Sequence, residues 1–120
     1  IIGASKNPKK YGNISILEYL NQGWDVYPVN PKEKEIEGLK CYNSIEDINQ
    51  KLNRVSIYLP PNLGIKQLDK LVGKDIDEIF INPGAESEKL LNKGRQLGLN
   101  LIQGCSIVNI GEHPVKHLHK

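Results

Sequence analysis

The residues best suited to chemistry lie near the start of the chain. The stretch "IIGASKNPKKYG" runs two isoleucines into Gly3, Ala4 and Ser5, and Gly12 follows nine positions after Gly3 at the head of an apolar segment with helical spacing. A strand that ends in small residues and gives way to a helix offers backbone N–H groups to an anion, and the helix start adds partial positive charge. Ser5 adds a hydroxyl, and Lys6, Lys9 and Lys10 add full charges. Phosphate binding is the chemistry this pattern supports. The spacing is not the G-x-G-x-x-G fingerprint, so the loop alone names no ligand, and Gly3 could serve only a tight turn. If the loop does hold a phosphate, a valine at position 3 is expected to block it while leaving a folded protein.

A second segment narrows the ligand. A dinucleotide fold for NAD places Asp or Glu at the end of its second strand, where it binds the ribose diol. Here "VYPVNPK" puts Asn30, Pro31 and Lys32 at that place. A lysine suits an extra phosphate on an adenosine ribose, as in coenzyme A or NADP; a solvated lysine in a turn is the plain alternative. "YLPP" and "INPG" put proline after two further strands, as chain stops or as a rigid wall for an extended ligand. Glu86 and Glu88 fit helix capping and the helix dipole, with Glu86 or Ser87 as the cap, better than acid–base chemistry. Cys105 follows the fifth strand, close to the expected site, but free cysteine is more often inert, and nothing beside it in sequence would stabilise a thiolate. His113, His117 and His119 fall in a tail that reads as solvated rather than metal-binding.

The elements that must position these residues alternate along the chain. Ile14, Ile16, Leu17 and Leu20 carry helical spacing, and Gly23 follows as a cap. "WDVYPVNP" reads as a strand. "SIEDI" reads as a short helix capped by Ser44, with Asp47 three residues on. "RVSIYLPP" is a strand, and "NLGIKQLDKLVG" is a helix with Ile65, Leu68 and Val72 on one face. "DEIFINPG", "AESEKLLNKGRQLG" and "LNLIQG" continue as strand, helix and strand. Five strands alternating with helices predict a parallel sheet with helices on both faces. Ligands in such sheets bind beyond the carboxyl ends of the strands. Residues 33–42 are the one irregular connection. The first strand has only two residues before Gly3, and several more are expected to precede Ile1.

Composition bounds the rest. The 120 residues are 38% hydrophobic and 25% charged with a formal charge of +2, which suits one globular domain, residues 1–120, with a loosely held tail at 112–120. The near-neutral charge argues against nucleic acid, and no run is long enough for a membrane span. Cys41 and Cys105 are far apart, without metal-ligand spacing, so a reduced protein of the cytoplasm is expected.

Taken together, "GASKNPKKYGN", "VYPVNPKEKEIEGLKCYNSIEDI", "LPP", "NPGAESE" and "GCSIV" resemble the small stand-alone CoA-binding proteins. Those are single Rossmann-like domains similar to the amino-terminal CoA-binding domain of the succinyl-CoA synthetase alpha subunit. The resemblance runs from Ile1 to about Gly111. It implies a doubly wound α/β sheet of five strands in the order 3-2-1-4-5. It implies a diphosphate loop at Gly3, Ala4, Ser5, Tyr11 and Gly12, and an adenosine-side segment at Val29, Asn30, Pro31 and Lys32. It implies a ligand wall at Leu59, Pro60 and Pro61, with Asn82 and Pro83 beyond. The synthetase's phosphorylated histidine belongs to a second domain with no equivalent in this sequence, so synthetase activity is not implied. The expected function is non-catalytic binding of coenzyme A or an acyl-CoA. An NADP-dependent oxidoreductase, or an interaction module with a vestigial nucleotide site, are the alternatives.

Overall fold

A computed structural model describes residues 1–110. The expected tail, with its three histidines, lies outside the described residues.

The centre is a parallel sheet of β3 (Leu52–Ile57), β4 (Ile76–Ile81) and β5 (Leu101–Gln103), hydrogen-bonded in that order. The sheet continues beyond β3 through single paired positions. Ile2 lies parallel to Ile57 on one side and to Val29 on the other, and Val29 lies parallel to Tyr42. The backbone bonds agree: Ile2 N donates to Ser56 O at 2.8 Å, and Tyr58 N to Ile2 O at 2.9 Å. The expected five-strand order 3-2-1-4-5 is therefore not confirmed: the neighbours run Tyr42, Val29, Ile2, β3, β4, β5, with Tyr42 beside Val29 where the strand at 54–61 was expected. The second expected strand, residues 24–31, shrinks to one ladder position at Val29. Pro28 has no N–H to donate, although its carbonyl accepts from Tyr42 N at 2.9 Å.

The irregular connection at 33–42 contains a small antiparallel hairpin, β1 (Glu35–Ile36) and β2 (Leu39–Lys40). Its two turn residues, Glu37 and Gly38, have φ of +52° and +76°, as a type I′ turn requires. "SIEDI" forms a single 3-10 turn, Ile45–Asp47, rather than an α-helix; Ser44 Oγ still caps it by accepting from Glu46 N.

Helices cover both faces of the sheet. α1 (Tyr11–Asn21) packs with α4 (Ser106–Asn109), and α2 (Pro61–Leu71) packs with α3 (Glu88–Gln96). Gly23 and Gly98 close α1 and α3 as the sequence predicts. At Gly23, Trp24 N reaches Tyr19 O and Gly23 N reaches Leu20 O, the paired bonds of a Schellman end. Two predicted core positions are turned outward instead, Leu17 at 45% and Val72 at 48% exposure, while Leu71 takes the buried place on α2.

Strand alternation gives the sheet two different faces. Val55, Ile57, Ile79 and Ile81 pack against Leu68, Leu71 and Leu90 in one apolar cluster. The opposite face is largely polar. Ser56 Oγ bonds Ser106 Oγ, Tyr19 OH donates to Ser106 O at 2.8 Å, and Arg54 pairs with Glu78 while lying over the rings of Trp24 and Phe80.

Candidate phosphate-binding cleft

Gly3 turns the chain at the end of its strand with φ of +89°. Its N–H and that of Ala4 both point at Val29 O, at 3.2 and 3.3 Å. A Cβ on Gly3 would lie 2.7 Å from Tyr58 O and 2.9 Å from the Tyr58 carbonyl carbon. Glycine is therefore required here by both conformation and space. That corrects the expectation for valine at position 3: it would strain the fold itself, not merely fill a ligand site. Gly12 is equally constrained, since a Cβ there would overlap Gly3 O. The two glycines let the start of α1 lie directly on the loop.

The turn between them is built from its own side chains. Ser5 Oγ accepts from Asn7 N and Asn7 Oδ1 from Lys9 N, both at 3.0 Å. Lys10 stands at the N-cap of α1 without a capping side chain. The N–H groups of Tyr11 and Gly12 are thus left without an intrahelical acceptor. Two buried or half-buried amides fix the loop carbonyls from behind. Asn30 Nδ2 donates to Ala4 O at 2.9 Å, and Asn13 Nδ2 to Ser5 O at 2.9 Å. Asn30 Oδ1 also accepts from Lys32 N at 2.8 Å, which shapes the second loop.

These parts open into a cleft of about 570 Å³ at the carboxyl end of the strands. Of the expected site residues, Gly3, Ala4, Ser5, Tyr11, Gly12 and Asn30 line one part of it, and Leu59, Pro60 and Pro83 another. Val29, Pro31, Lys32, Pro61 and Asn82 are not in the lining. Val29 holds the loop through its carbonyl. Lys32 is exposed outside the cleft. Pro61 is the first residue of α2. Asn82 is turned inward, donating to Ile57 O at 3.0 Å and accepting from Ser106 N at 2.9 Å, so it ties α4 to the sheet. Lys9 and Lys10, read in the sequence as sources of charge, do line the cleft, together with Tyr58, Gly84 and Ala85.

Asn13, Glu37 and Tyr58 were not found by reading motifs. The available signal for Asn13 was a polar side chain inside an apolar helix; it is fully buried. In the sequence Tyr58 reads only as part of a strand.

Among the described residues, no carboxylate, imidazole or thiol lines the cleft. Burial pushes the Tyr58 phenol above its usual range, against the opposing effect of its bond to Ser106 Oγ. It therefore stays protonated at neutral pH. Cys105, half-buried, stands at the N-cap position of the short α4 without a capping side-chain bond and is not in the lining. Cys41 is buried beside Asn30 O, and burial pushes its thiol up. Among the described residues no group of three or more His, Cys, Asp or Glu could hold a metal, and no helix is long and apolar enough to cross a membrane. A second cleft of about 440 Å³ lies near Trp24, Ile48 and Arg54; none of the expected site residues lines it.

The arrangement can bind an anion with backbone amides and two lysines beside an apolar wall. Comparison with known proteins agrees in kind. The family described as CoA binding domain matches residues 1–111. The ADP-forming acetate–CoA ligase I of Archaeoglobus fulgidus is 35% identical over 75% of this chain and 14% of its own length. That of Methanocaldococcus jannaschii is 34% identical over 62% of this chain and 10% of its own. The chain thus spans only about a tenth of the curated relatives it matches. Among solved structures, a conserved hypothetical protein from Pyrococcus furiosus superposes with a TM-score of 0.83 at 36% identity, covering 90% of this chain and 94% of that one. The acetyl-coenzyme A synthetase 1 of Ca. Korarchaeum cryptofilum superposes at 0.73 with 27% identity, over 85% of this chain and 24% of that one. The fold is Rossmann-like, and the chain belongs to the CoA-binding domain family.

Proposed function

We propose that the cleft binds coenzyme A or an acyl-CoA and performs no catalysis of its own. The observation that carries this reading is the start of α1 lying on the Gly3 loop, with uncapped amides and Lys9 and Lys10 all at one cleft. Such a surface suits a diphosphate. Gly3, Ala4, Ser5, Tyr11 and Gly12 would hold that diphosphate. Asn30, Pro31 and Lys32 would flank the adenosine, and Leu59, Pro60 and Pro83 the extended arm. Coenzyme A would supply a thiol to carry an acyl group. The residues here would bind and orient it.

Family membership supports the ligand class. The ligase activity named for the larger relatives is not carried over, because this chain matches only a small part of them.

Titration calorimetry with CoA, NADP and NAD tests the reading. CoA is expected to bind most tightly. Tighter binding of NADP or NAD would replace it with an oxidoreductase. No binding of any of the three would leave an interaction module with a vestigial site.

A further inference from the structure

The hairpin of β1 and β2 reaches the phosphate loop through one side chain. Glu37 Oε2 accepts from Asn13 Nδ2 at 2.9 Å, and the same Nδ2 donates to Ser5 O at 2.9 Å. Asn13 is fully buried, and its Oδ1 has no hydrogen-bond partner among the described residues. The amide is therefore held in an orientation that leaves its own oxygen unsatisfied. Two acceptors on the nitrogen side explain that choice. Turned over, Asn13 Oδ1 would face two oxygens, a carbonyl and a carboxylate, with no proton between them.

Glu37 itself occupies an unfavourable place. It is the only non-glycine residue with positive φ among those described. A type I′ turn is best served by Asn-Gly or Gly-Gly at its two central positions, and a long acidic side chain has no local reason to be there. Its contact with Asn13 supplies a reason.

We propose that Glu37 is a positioning residue for the phosphate loop: its carboxylate orients the Asn13 amide, which fixes the Ser5 carbonyl and so the loop that follows. The consequence for ligand affinity rests on the CoA reading; the consequence for loop order does not. A carboxylate is suited to this task because it can only accept. An asparagine at 37 would satisfy the turn better but is one methylene too short for the same reach.

The test is Glu37→Asn beside Glu37→Gln, read by hydrogen exchange and by calorimetry with CoA. In the unliganded Glu37→Asn protein the hydrogen-bonded amides of Asn7, Lys9 and Lys10 should exchange at least about fivefold faster, while β3 and β4 amides keep their protection. CoA affinity should fall about five- to tenfold. Glu37→Gln, which keeps an acceptor at the right reach, should recover most of both. Unchanged exchange in the loop, or a uniform rise across the sheet, overturns the proposal. If the native protein binds no CoA yet the loop still responds to Glu37→Asn, the ligand reading fails and the positioning role stands.

Discussion

The α-carbon of Gly12 rests on the carbonyl of Gly3, so closely that a methyl group on Gly12 would overlap the Gly3 oxygen. The helix and the loop cannot be moved apart without opening the surface proposed to hold the diphosphate. Gly12→Ala should therefore destabilise the protein by about 1–3 kcal/mol, the usual cost of overpacking. It should weaken CoA binding as well. Urea denaturation and calorimetry check both; a Gly12→Ala protein with the native midpoint would sink the claim that the two backbones must touch.

Asn30 joins the two loops by donating to Ala4 O while accepting from Lys32 N. Asn30→Asp keeps the acceptor and loses the donor, setting a carboxylate against the Ala4 carbonyl. The loss should be about 1–3 kcal/mol of stability, the cost of an unmatched half-buried polar pair. CoA affinity should drop further than NAD affinity, because the new charge opposes phosphate and suits a ribose diol. A variant that bound CoA normally would mean that the second loop does not shape the first.

Lys32 is exposed and stands outside the cleft lining. If it pairs with the 3′-phosphate of CoA, dephospho-CoA should bind about tenfold more weakly than CoA, a difference set by one charge-assisted hydrogen bond to an exposed group. Lys32→Ala should abolish most of that difference while leaving dephospho-CoA affinity nearly constant. Equal affinity for the two ligands in the native protein would assign the lysine to solvent.

The two thiols should differ in reactivity. Cys41 is 6% exposed with its thiol pushed up by burial, so it should stay protonated and resist alkylation at neutral pH. Cys105, half-buried at the head of α4, should react first. Because it does not line the cleft, Cys105→Ala should keep CoA affinity within about threefold, under about 0.7 kcal/mol. Peptide mapping after brief iodoacetamide treatment gives the order of modification, and faster labelling of Cys41 would contradict the burial argument.

The loops that end strands were legible because their chemistry is local. Gly3, Asn30, Pro60 and Pro83 announce themselves as breaks at the ends of strands, and all line one cleft. Glycine ends at Gly23 and Gly98 were readable for the same reason. What escaped depends on distant partners. Nothing near Asn82 in sequence says that it will turn inward to meet Ser106. The β1–β2 hairpin was hidden because its strands have two residues each and its turn reads Glu-Gly, outside the usual I′ dipeptides. Strand order was not legible for a related reason: single paired positions decide it, and Tyr42, which takes the place beside Val29, lies in a segment that reads as an irregular connection. Leu17 and Val72 were misplaced because an apolar side chain one position off the buried stripe has the same composition signal as one on it.

Ile2 is bracketed by Val29 and Ile57, and Gly3 rests on the carbonyl of Tyr58. Part of the loop is shaped by its own side chains, but the carbonyls on which Gly3 packs and to which it donates come from Val29 and Tyr58, far along the chain. On a ribosome, the local bonds among Ser5, Asn7, Lys9 and Lys10 could form before Tyr58 emerged, but the packing of Gly3 on the Tyr58 carbonyl could not. The segment with the strongest sequence signal thus completes its form only when distant strands dock. A substitution inside β3 that slows its docking would therefore delay completion of the loop without altering a residue of the cleft lining.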